Sequence, residues 1–341
     1  MTAAAIVLIP LLLFLPGYAL LPADYPRRLR LPFVLFVSVA VTSVVALLLA
    51  AVGRFDVVAV ALLEMPFILL RVRSHRWPRL ALSTHSWPLV VAVAVGAFAV
   101  MTSGEPFDAH GDAGVYTISS LHLDQTGRWT LPLEDVIPPD VDRGLVTHQP
   151  RLVRPWQEVA PGFIVRGDAV VPQFFPLYPV WGAIFASVFG IRGVLAANLL
   201  GALLMLVGLA ALARMLLGRR WGGLAVAALA VNPIFLIFVK YPSAEVFLGG
   251  LLAGWMLWIV LYLRAPSARS AWVPGVLLAL AVLTKFFAWA VAGAAVLALM
   301  LLPRRHLLSA TVFVGILVPA FVADLVVATP HLDNHLGQLL I

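Results

Sequence analysis

The sequence predicts an all-α fold: a polytopic membrane helical bundle of about ten spans with a long outer loop that carries juxtamembrane helices. Three observations predict it. Hydrophobic residues make up 62% of the 341-residue chain, and its mean hydropathy is +1.01, too high for a water-soluble core. Apolar runs approaching twenty residues recur between short basic clusters. Ten of the sixteen acidic residues lie in one polar segment, 103–175, called the acidic loop below.

Hydropathy divides the chain into three parts. Residues 1–86 are predicted to form extra N-terminal transmembrane helices, residues 87–330 a transmembrane core that includes the outer loop 103–192, and residues 331–341 an outer C-terminal segment. The apolar start has no basic segment ahead of it and no cleavage site, which predicts a retained span. The abrupt end predicts a truncated piece of a longer protein. The spans are predicted at 3–22, 31–53, 56–71, 87–102, 193–217, 221–239, 244–263, 272–285, 286–302 and 307–328.

Arginine clusters between the spans predict the topology, because such clusters mark cytoplasmic loops. With the acidic loop outside, an odd number of crossings must separate it from the next cluster, so 176–190 is expected to be a juxtamembrane helix. The run 272–302 lies between two clusters and is expected to cross twice as a hairpin, which brings Lys285 to the outer leaflet. A lysine at mid-bilayer would cost roughly 3 kcal/mol or more. The clusters are Arg27/Arg28/Arg30, Arg71/Arg73/Arg76/Arg79, Arg214/Arg219/Arg220, Arg264/Arg269 and Arg304/Arg305.

Charge and cysteine content exclude several classes of function. The net charge of +7 resides in these loop clusters rather than in one basic face, so nucleic-acid binding is excluded as a function. The chain has no cysteine, which rules out disulfides and thiolate metal sites. No internal repeat and no water-soluble domain is evident. Chemistry is therefore expected where the acidic loop meets the membrane.

The start of the acidic loop carries the most reactive pattern. Asp108 and Asp112 lie four positions apart, with Tyr116 four further on, so a helix would place all three on one face. One carboxylate could accept a proton from a hydroxyl while the other holds a cation or a sugar hydroxyl; a solvated acidic loop is the alternative. His110, with His122 and His148, could ligate a metal beside the aspartates, although the spacing matches no zinc signature.

Two lysines are predicted at the outer membrane boundary. Lys285 precedes two phenylalanines, and Lys240 precedes Tyr241. Either cation could meet the phosphate of a lipid-linked donor, or merely extend to water. Glu245, at a helix start, could interact with the helix dipole or pair with Lys240. Charged residues whose role stays open are Glu64 and Asp324 inside spans, and Arg128, Arg143, Arg151, Arg154 and Arg166 in the loop.

Four segments in order resemble motifs of the GT-C superfamily of membrane glycosyltransferases, which includes the protein O-mannosyltransferases and aminoarabinose transferases of glycosyltransferase family 39. Residues 110–116 resemble the family's acidic residue, short spacer and tyrosine after a span. Residues 173–179 resemble its Pro-Pro-Leu-Tyr-Pro stretch, 232–247 its glutamate at a span start, and 280–285 its leucine-threonine-lysine element. The chain departs from the pattern at Phe175, where the family usually has proline, in its long Pro-rich loop, and in lacking the long C-terminal part.

The resemblance implies a function and roles for residues. It implies inverting transfer of a sugar from a polyprenyl-phosphate donor to an acceptor hydroxyl of unknown identity at the extracytoplasmic face of a multi-pass cell-membrane protein. It aligns Asp112 with the family's catalytic base and Lys285 with a basic residue near the donor phosphate. No cofactor is required, and assistance by a divalent cation stays open. Asp108 is the second catalytic candidate, and the substrate-binding candidates are Lys285, Tyr116, Glu245, Lys240, Tyr178 and His110.

Two other functions are kept as alternatives. A transporter or lipid flippase would place ionisable groups opposite each other at mid-membrane and repeat broken helices in two halves. A non-catalytic member of the same fold would lack a working site. A pocket at the outer leaflet that brings Asp112 and Lys285 together favours an enzyme, whereas a central pathway open to each side in turn favours transport.

Overall fold

A computed structural model describes residues 3–22, 25–73, 90–96, 98, 111–137, 157–160, 162–172, 174–265, 268–301 and 312–319. These residues are mostly helical, and the helices numbered here carry the fold. In chain order they are α1 (Ala3–Leu20), α2 (Arg30–Ala51), α3 (Val57–Arg73), α4 (Gly111–Thr126), α5 (Leu133–Val136), α6 (Leu177–Phe189), α7 (Val194–Leu217), α8 (Arg219–Ala230), α9 (Pro233–Lys240), α10 (Ala244–Arg264), α11 (Ala268–Val282) and α12 (Ala288–Met300).

Long apolar helices give the described part of the chain the character of a membrane protein. Three helical stretches are long and apolar enough to cross a membrane: Arg27–Ala51, Leu177–Leu217 and Ala244–Arg264. Helices α8 and α9 make a fourth if they form one span, bent by 63° between them. Apolar side chains point outward, as at Leu48, which is 63% exposed. The count of about ten spans stays a prediction, and the segments 87–102 and 307–328 lie largely outside the described residues.

The helices are interrupted between α11 and α12 and between α8 and α9. Between α11 and α12 the helix is interrupted at 283–287, as predicted from the lysine in that apolar run. The segment 221–239, predicted as one continuous span, is instead divided into α8 and α9. Asn232 causes this division, because its side chain accepts hydrogen bonds from the backbone N–H groups of Ile234 and Phe235 and so caps a new helix with Pro233 in its first turn.

Helix α6 is the segment expected to be a juxtamembrane helix. It is deeply buried, and a short 3₁₀ turn, Gly190–Gly193, joins it directly to α7. Its Trp181 is fully buried and donates from Nε1 to Ser43 Oγ of α2 at 2.9 Å. A Cβ at Gly182 would overlap Ser120 Oγ of α4. Helix α6 therefore packs between the acidic loop and the bundle, and its relation to a membrane interface stays a prediction.

Small residues let the central helices approach closely. A Cβ at Gly201 of α7 would lie 2.6 Å from Phe247 Cα of α10, and one at Gly250 would lie 2.7 Å from the Gly201 carbonyl oxygen. Glycine at these facing positions brings two backbones into contact, as in membrane helix pairs generally. This α7–α10 contact positions the start of α10, where Glu245 lies.

The acidic loop contains a small sheet that the all-α prediction missed. Four short strands, β1 (Leu131–Pro132), β2 (Gln157–Ala160), β3 (Phe163–Arg166) and β4 (Ala169–Pro172), pair antiparallel in the order β1-β4-β3-β2. The sheet packs on α4 at Val115, which shares a small core with residues of β3 and β4. The sheet thus braces the N-terminal turn of α4.

The arginine clusters of the described helices gather at one end of the bundle. At one end, called the basic end, Arg71 Nη2 donates to the Leu21 carbonyl at 3.0 Å and Arg264 Nη2 donates to the Met215 carbonyl at 3.3 Å. At the other end, called the loop end, the Phe55 N–H following α2 donates to the Gly127 carbonyl following α4 at 3.0 Å. The four arginine clusters that the described helices carry therefore lie away from the acidic loop.

Candidate functional site

Helix α4 presents the first candidate carboxylate at its N-terminal turn. The helix begins at Gly111, whose φ of +67° lies in the left-handed region and suits glycine. Asp112 follows in the first turn, where the helix dipole favours a negative charge. Its side chain reaches solvent, whereas Tyr116, one turn later, is only 1% exposed. The local sequence therefore fixes a carboxylate above a buried ring.

Glu245 and Lys285 form an ion pair across two elements of the loop end. Glu245 lies in the first turn of α10, and Lys285 lies in the break between α11 and α12. The Lys285 ammonium contacts Glu245 Oε1, and the two side chains are 22% and 32% exposed, respectively. The suggested pairing of Glu245 with Lys240 is therefore wrong. The other Glu245 oxygen, Oε2, is buried and has no hydrogen-bond partner among the described residues.

Asp112 lies within electrostatic reach of this ion pair. Partial burial raises the pKa of its carboxyl, the Lys285 ammonium opposes that rise, and the Glu245 carboxylate adds to it. Burial outweighs the attraction of the lysine, so the pKa stays above its ordinary value. A carboxylate with a raised pKa is a better proton acceptor than a fully solvated one. The arrangement combines a carboxyl with a raised pKa, a cation and a second carboxylate from three separated parts of the chain.

A row of aromatic rings lies beneath the three charges. Tyr116 stacks on Phe174 with ring centroids 4.9 Å apart and meets Tyr178 edge-on at 4.8 Å, and Tyr178 in turn meets Phe247 of α10 at 6.3 Å. Tyr178 is fully buried and donates its hydroxyl to the Val194 carbonyl at 3.4 Å. The structure thus places both tyrosine candidates below the charged groups, where they hold α4, α6 and α10 at fixed separation.

Two further contacts join the segments that sequence motifs singled out. The Leu177 N–H donates to the Leu283 carbonyl at 3.2 Å, which attaches the start of α6 to the helix break that carries Lys285. Asn198, fully buried in α7, donates from Nδ2 to the carbonyls of Phe238 and Tyr241 beside the start of α10. Sequence analysis missed Asn198, although a lone amide in an apolar span is a signal for such a contact.

The remaining candidates lie elsewhere. The Lys240 ammonium lies 4.8 Å from the centre of the Phe98 ring, a cation–π contact. Glu64 of α3 is buried, at 1% exposed. Burial lowers the pKa of His122, whose ring lies 3.2 Å from the Thr130 carbonyl oxygen. The candidates outside the described residues are Asp108, His110, His148, Asp324, Arg143, Arg151 and Arg154.

Metal binding was also considered for the site. Over the ranges that the structure describes, no three His, Asp or Glu side chains lie close enough together to hold a metal ion. The ranges exclude Asp108 and His110, so the divalent cation of the sequence analysis stays an open expectation.

Known proteins supply no further guide to the site. The chain matches no protein-family model, no curated protein and no solved structure. The assignment of function therefore depends on the geometry of Asp112, Glu245 and Lys285.

Proposed function

We propose that this protein is a GT-C-like membrane glycosyltransferase that moves a sugar from a polyprenyl-phosphate donor to an acceptor hydroxyl at the outer face of the membrane. One observation carries the proposal. A partly buried carboxyl, Asp112, shares an electrostatic environment with a lysine and a second carboxylate at the end of an apolar bundle. Sugar transfer from a lipid phosphate needs a base for the acceptor and a cation for the leaving group, both beside a surface that seats an apolar tail.

The step assigns each charge a role. Asp112 takes the proton of the acceptor hydroxyl as its oxygen attacks the anomeric carbon, and the bond from that carbon to the phosphate oxygen breaks. The polyprenyl phosphate leaves with the bonding electrons, and Lys285 stabilises its charge. A positioned general base of this kind typically contributes about 10²–10⁴-fold in rate.

Glu245 is proposed to hold Lys285 in place before the donor binds. Its second oxygen is proposed to accept a hydrogen bond from a sugar hydroxyl. Its buried Oε2 has no partner among the described residues, so it retains acceptor capacity. The donor phosphate would then share the Lys285 ammonium with Glu245. Lys285 carries one positive charge against two anions, which predicts that the phosphate needs a further hydrogen-bond donor when it binds.

The test is transfer by membranes that contain the full chain. Membranes are incubated with labelled polyprenyl-phosphate sugars, and products are separated from donor. Asp112→Asn is expected to reduce transfer by at least about 100-fold, because it removes the base and keeps the shape. Asp124→Asn is the matched control, since Asp124 lies on the same helix and burial also raises its pKa. Full turnover by Asp112→Asn would remove Asp112 from the mechanism.

A transporter or lipid flippase is the second candidate. Two observations favour it: the bend of 63° between α8 and α9, and the buried carboxyl of Glu64 within the apolar helix α3. Broken helices and intramembrane carboxyls are features of transporters. Proteoliposomes that move a labelled lipid across the bilayer, with a loss of movement in Glu64→Gln and no loss in Asp112→Asn, would support it over the transferase.

A further inference from the structure

A cavity at the basic end has the chemistry of an anion site. It has a volume of about 60 Å³ and lies between the start of α2 and the end of α7, lined by Arg28, Leu29, Ala211, Arg214 and Met215. Two of these five residues are arginines, and none is acidic. Guanidinium groups present N–H donors in a planar fork that matches the oxygens of a phosphate. The lining therefore suits a small anion with several oxygens.

Packing against α8 holds Arg214 in place. The stem of Arg214 lies against Gly222 in the first turns of α8, where a Cβ would overlap Arg214 Cγ. Arg264, at the end of α10, donates to the carbonyl of Met215, which itself lines the cavity. A topology signal requires only that arginines lie in a loop, whereas here Arg28, just before α2, and Arg214, of α7, line one space.

Exposed apolar side chains neighbour the cavity in sequence: Leu216 follows Met215, and Trp221 precedes Gly222, which lies against Arg214. Leu216 and Leu217, at the end of α7, are 53% and 63% exposed, and Trp221, in the first turn of α8, is 52% exposed. Exposed aliphatic side chains next to cations form a surface that a free anion does not need and that an acyl chain would cover. Tryptophan is enriched where membrane helices meet headgroups. Two arginines beside exposed apolar side chains therefore suit the phosphate of a lipid.

We propose that this cavity binds the phosphate of an anionic phospholipid, with its acyl chains against the exposed residues of α7. Basic pockets between membrane helices are suited to such headgroups. The site is separate from the proposed transfer site, because the two lie at opposite ends of α7, whose 24 residues span roughly 36 Å. The bound lipid would fasten α2, α7, α8 and α10 together at the end remote from the chemistry.

The experiment is native mass spectrometry of the full chain released from detergent with added lipid. Palmitoyl-oleoyl phosphatidylglycerol is compared with the zwitterionic phosphatidylcholine of the same chains. We expect one phosphatidylglycerol to remain bound, and the Arg28→Gln/Arg214→Gln variant to bind it at least about tenfold more weakly. Arg192→Gln is the matched control, because Arg192 is an exposed arginine just before the other end of α7. It is expected to bind the lipid as the unchanged protein does.

Competition with inorganic phosphate distinguishes a bound lipid from a free anion, and single variants test each arginine. Inorganic phosphate at millimolar concentration should not displace the bound lipid, and Arg214→Lys should weaken binding less than Arg214→Gln. Arg28→Gln alone serves if the double variant does not fold, since Arg28 is exposed. Equal binding of the two lipids, equal loss in Arg192→Gln, or displacement by inorganic phosphate would each overturn the proposal.

Discussion

Lys285, in the break between α11 and α12, contacts Glu245 of α10, so this ion pair joins two residues that lie 40 positions apart in the sequence. Each side chain is at least two-thirds covered by protein, which makes the pair less accessible to water than a surface salt bridge. Asp112 lies close enough for both charges to act on its carboxyl.

The ion pair predicts that the losses of stability caused by substituting its two members are not additive. Glu245→Gln and Lys285→Met should each destabilise the protein, because each leaves one partly buried charge unpaired. The double variant should lose less than the sum of the single losses, with a coupling free energy of roughly 1 kcal/mol. Thermal unfolding of the four proteins in one detergent measures it. Strictly additive losses would show that the two charges do not stabilise each other.

The raised pKa of Asp112 predicts how the transfer rate changes with pH at the acidic end of the pH range. A base must be ionised, so the rate should rise with pH through a midpoint above the ordinary aspartate value of about 3.9. Glu245→Gln removes a carboxylate that raises this pKa and should move the midpoint down. Lys285→Met removes a cation that lowers it and should move the midpoint up. Rates of labelled sugar transfer measured across pH provide the check, and shifts in the reverse directions would contradict it.

The close α7–α10 contact predicts a strong size limit at Gly201. Gly201→Val should destabilise the protein by about 1–3 kcal/mol, because its side chain would overlap the backbone at Phe247. Gly293→Val in α12 is the control, since no atom lies within 4 Å of a Cβ there. Thermal unfolding compares the two variants. The transfer rate of Gly201→Val should also fall, because α10 carries Glu245.

The arginine clusters at the basic end predict that the loop end faces outward. The chain has no cysteine, so a single introduced thiol reports its own position. Arg192→Cys and Arg220→Cys replace exposed arginines beyond the two ends of α7. We expect a membrane-impermeant maleimide added to intact cells to label the first and to reach the second only after permeabilisation. Labelling in the opposite order would place the proposed site in the cytoplasm.

The sequence predicted those structural elements that depend only on neighbouring residues. The helix break at Lys285 follows from a charge in an apolar run, and the helix at 177–189 follows from its apolar composition. The division at Asn232 was equally visible, because an Asn-Pro pair is a cap followed by a first-turn proline, yet the apolar run on both sides obscured it. The strands of the acidic loop are too short to show an alternating pattern, so the sheet was missed.

The pairing of side chains required the tertiary structure. Glu245 has Lys240 five positions before it and Lys285 far downstream, and sequence proximity suggested Lys240 as one alternative, whereas the structure pairs Glu245 with Lys285. Lys240 instead meets the ring of Phe98, and the break between α11 and α12 brings Lys285 to Glu245. Hydropathy also carries no information on how close two spans lie, so the glycine contact between α7 and α10 was not predicted.

The row of contacting rings formed by Phe174, Tyr116, Tyr178 and Phe247 links the helices that carry the two carboxylates. Asp112 lies one helical turn from the second ring, and Glu245 lies two residues from the fourth. Stiff, buried side chains thus set the spacing between the two carboxylates, whatever conformation the rest of the acidic loop adopts. For the proposed transfer reaction, this spacing predicts that selectivity follows the size of the bound substrate more than its flexibility.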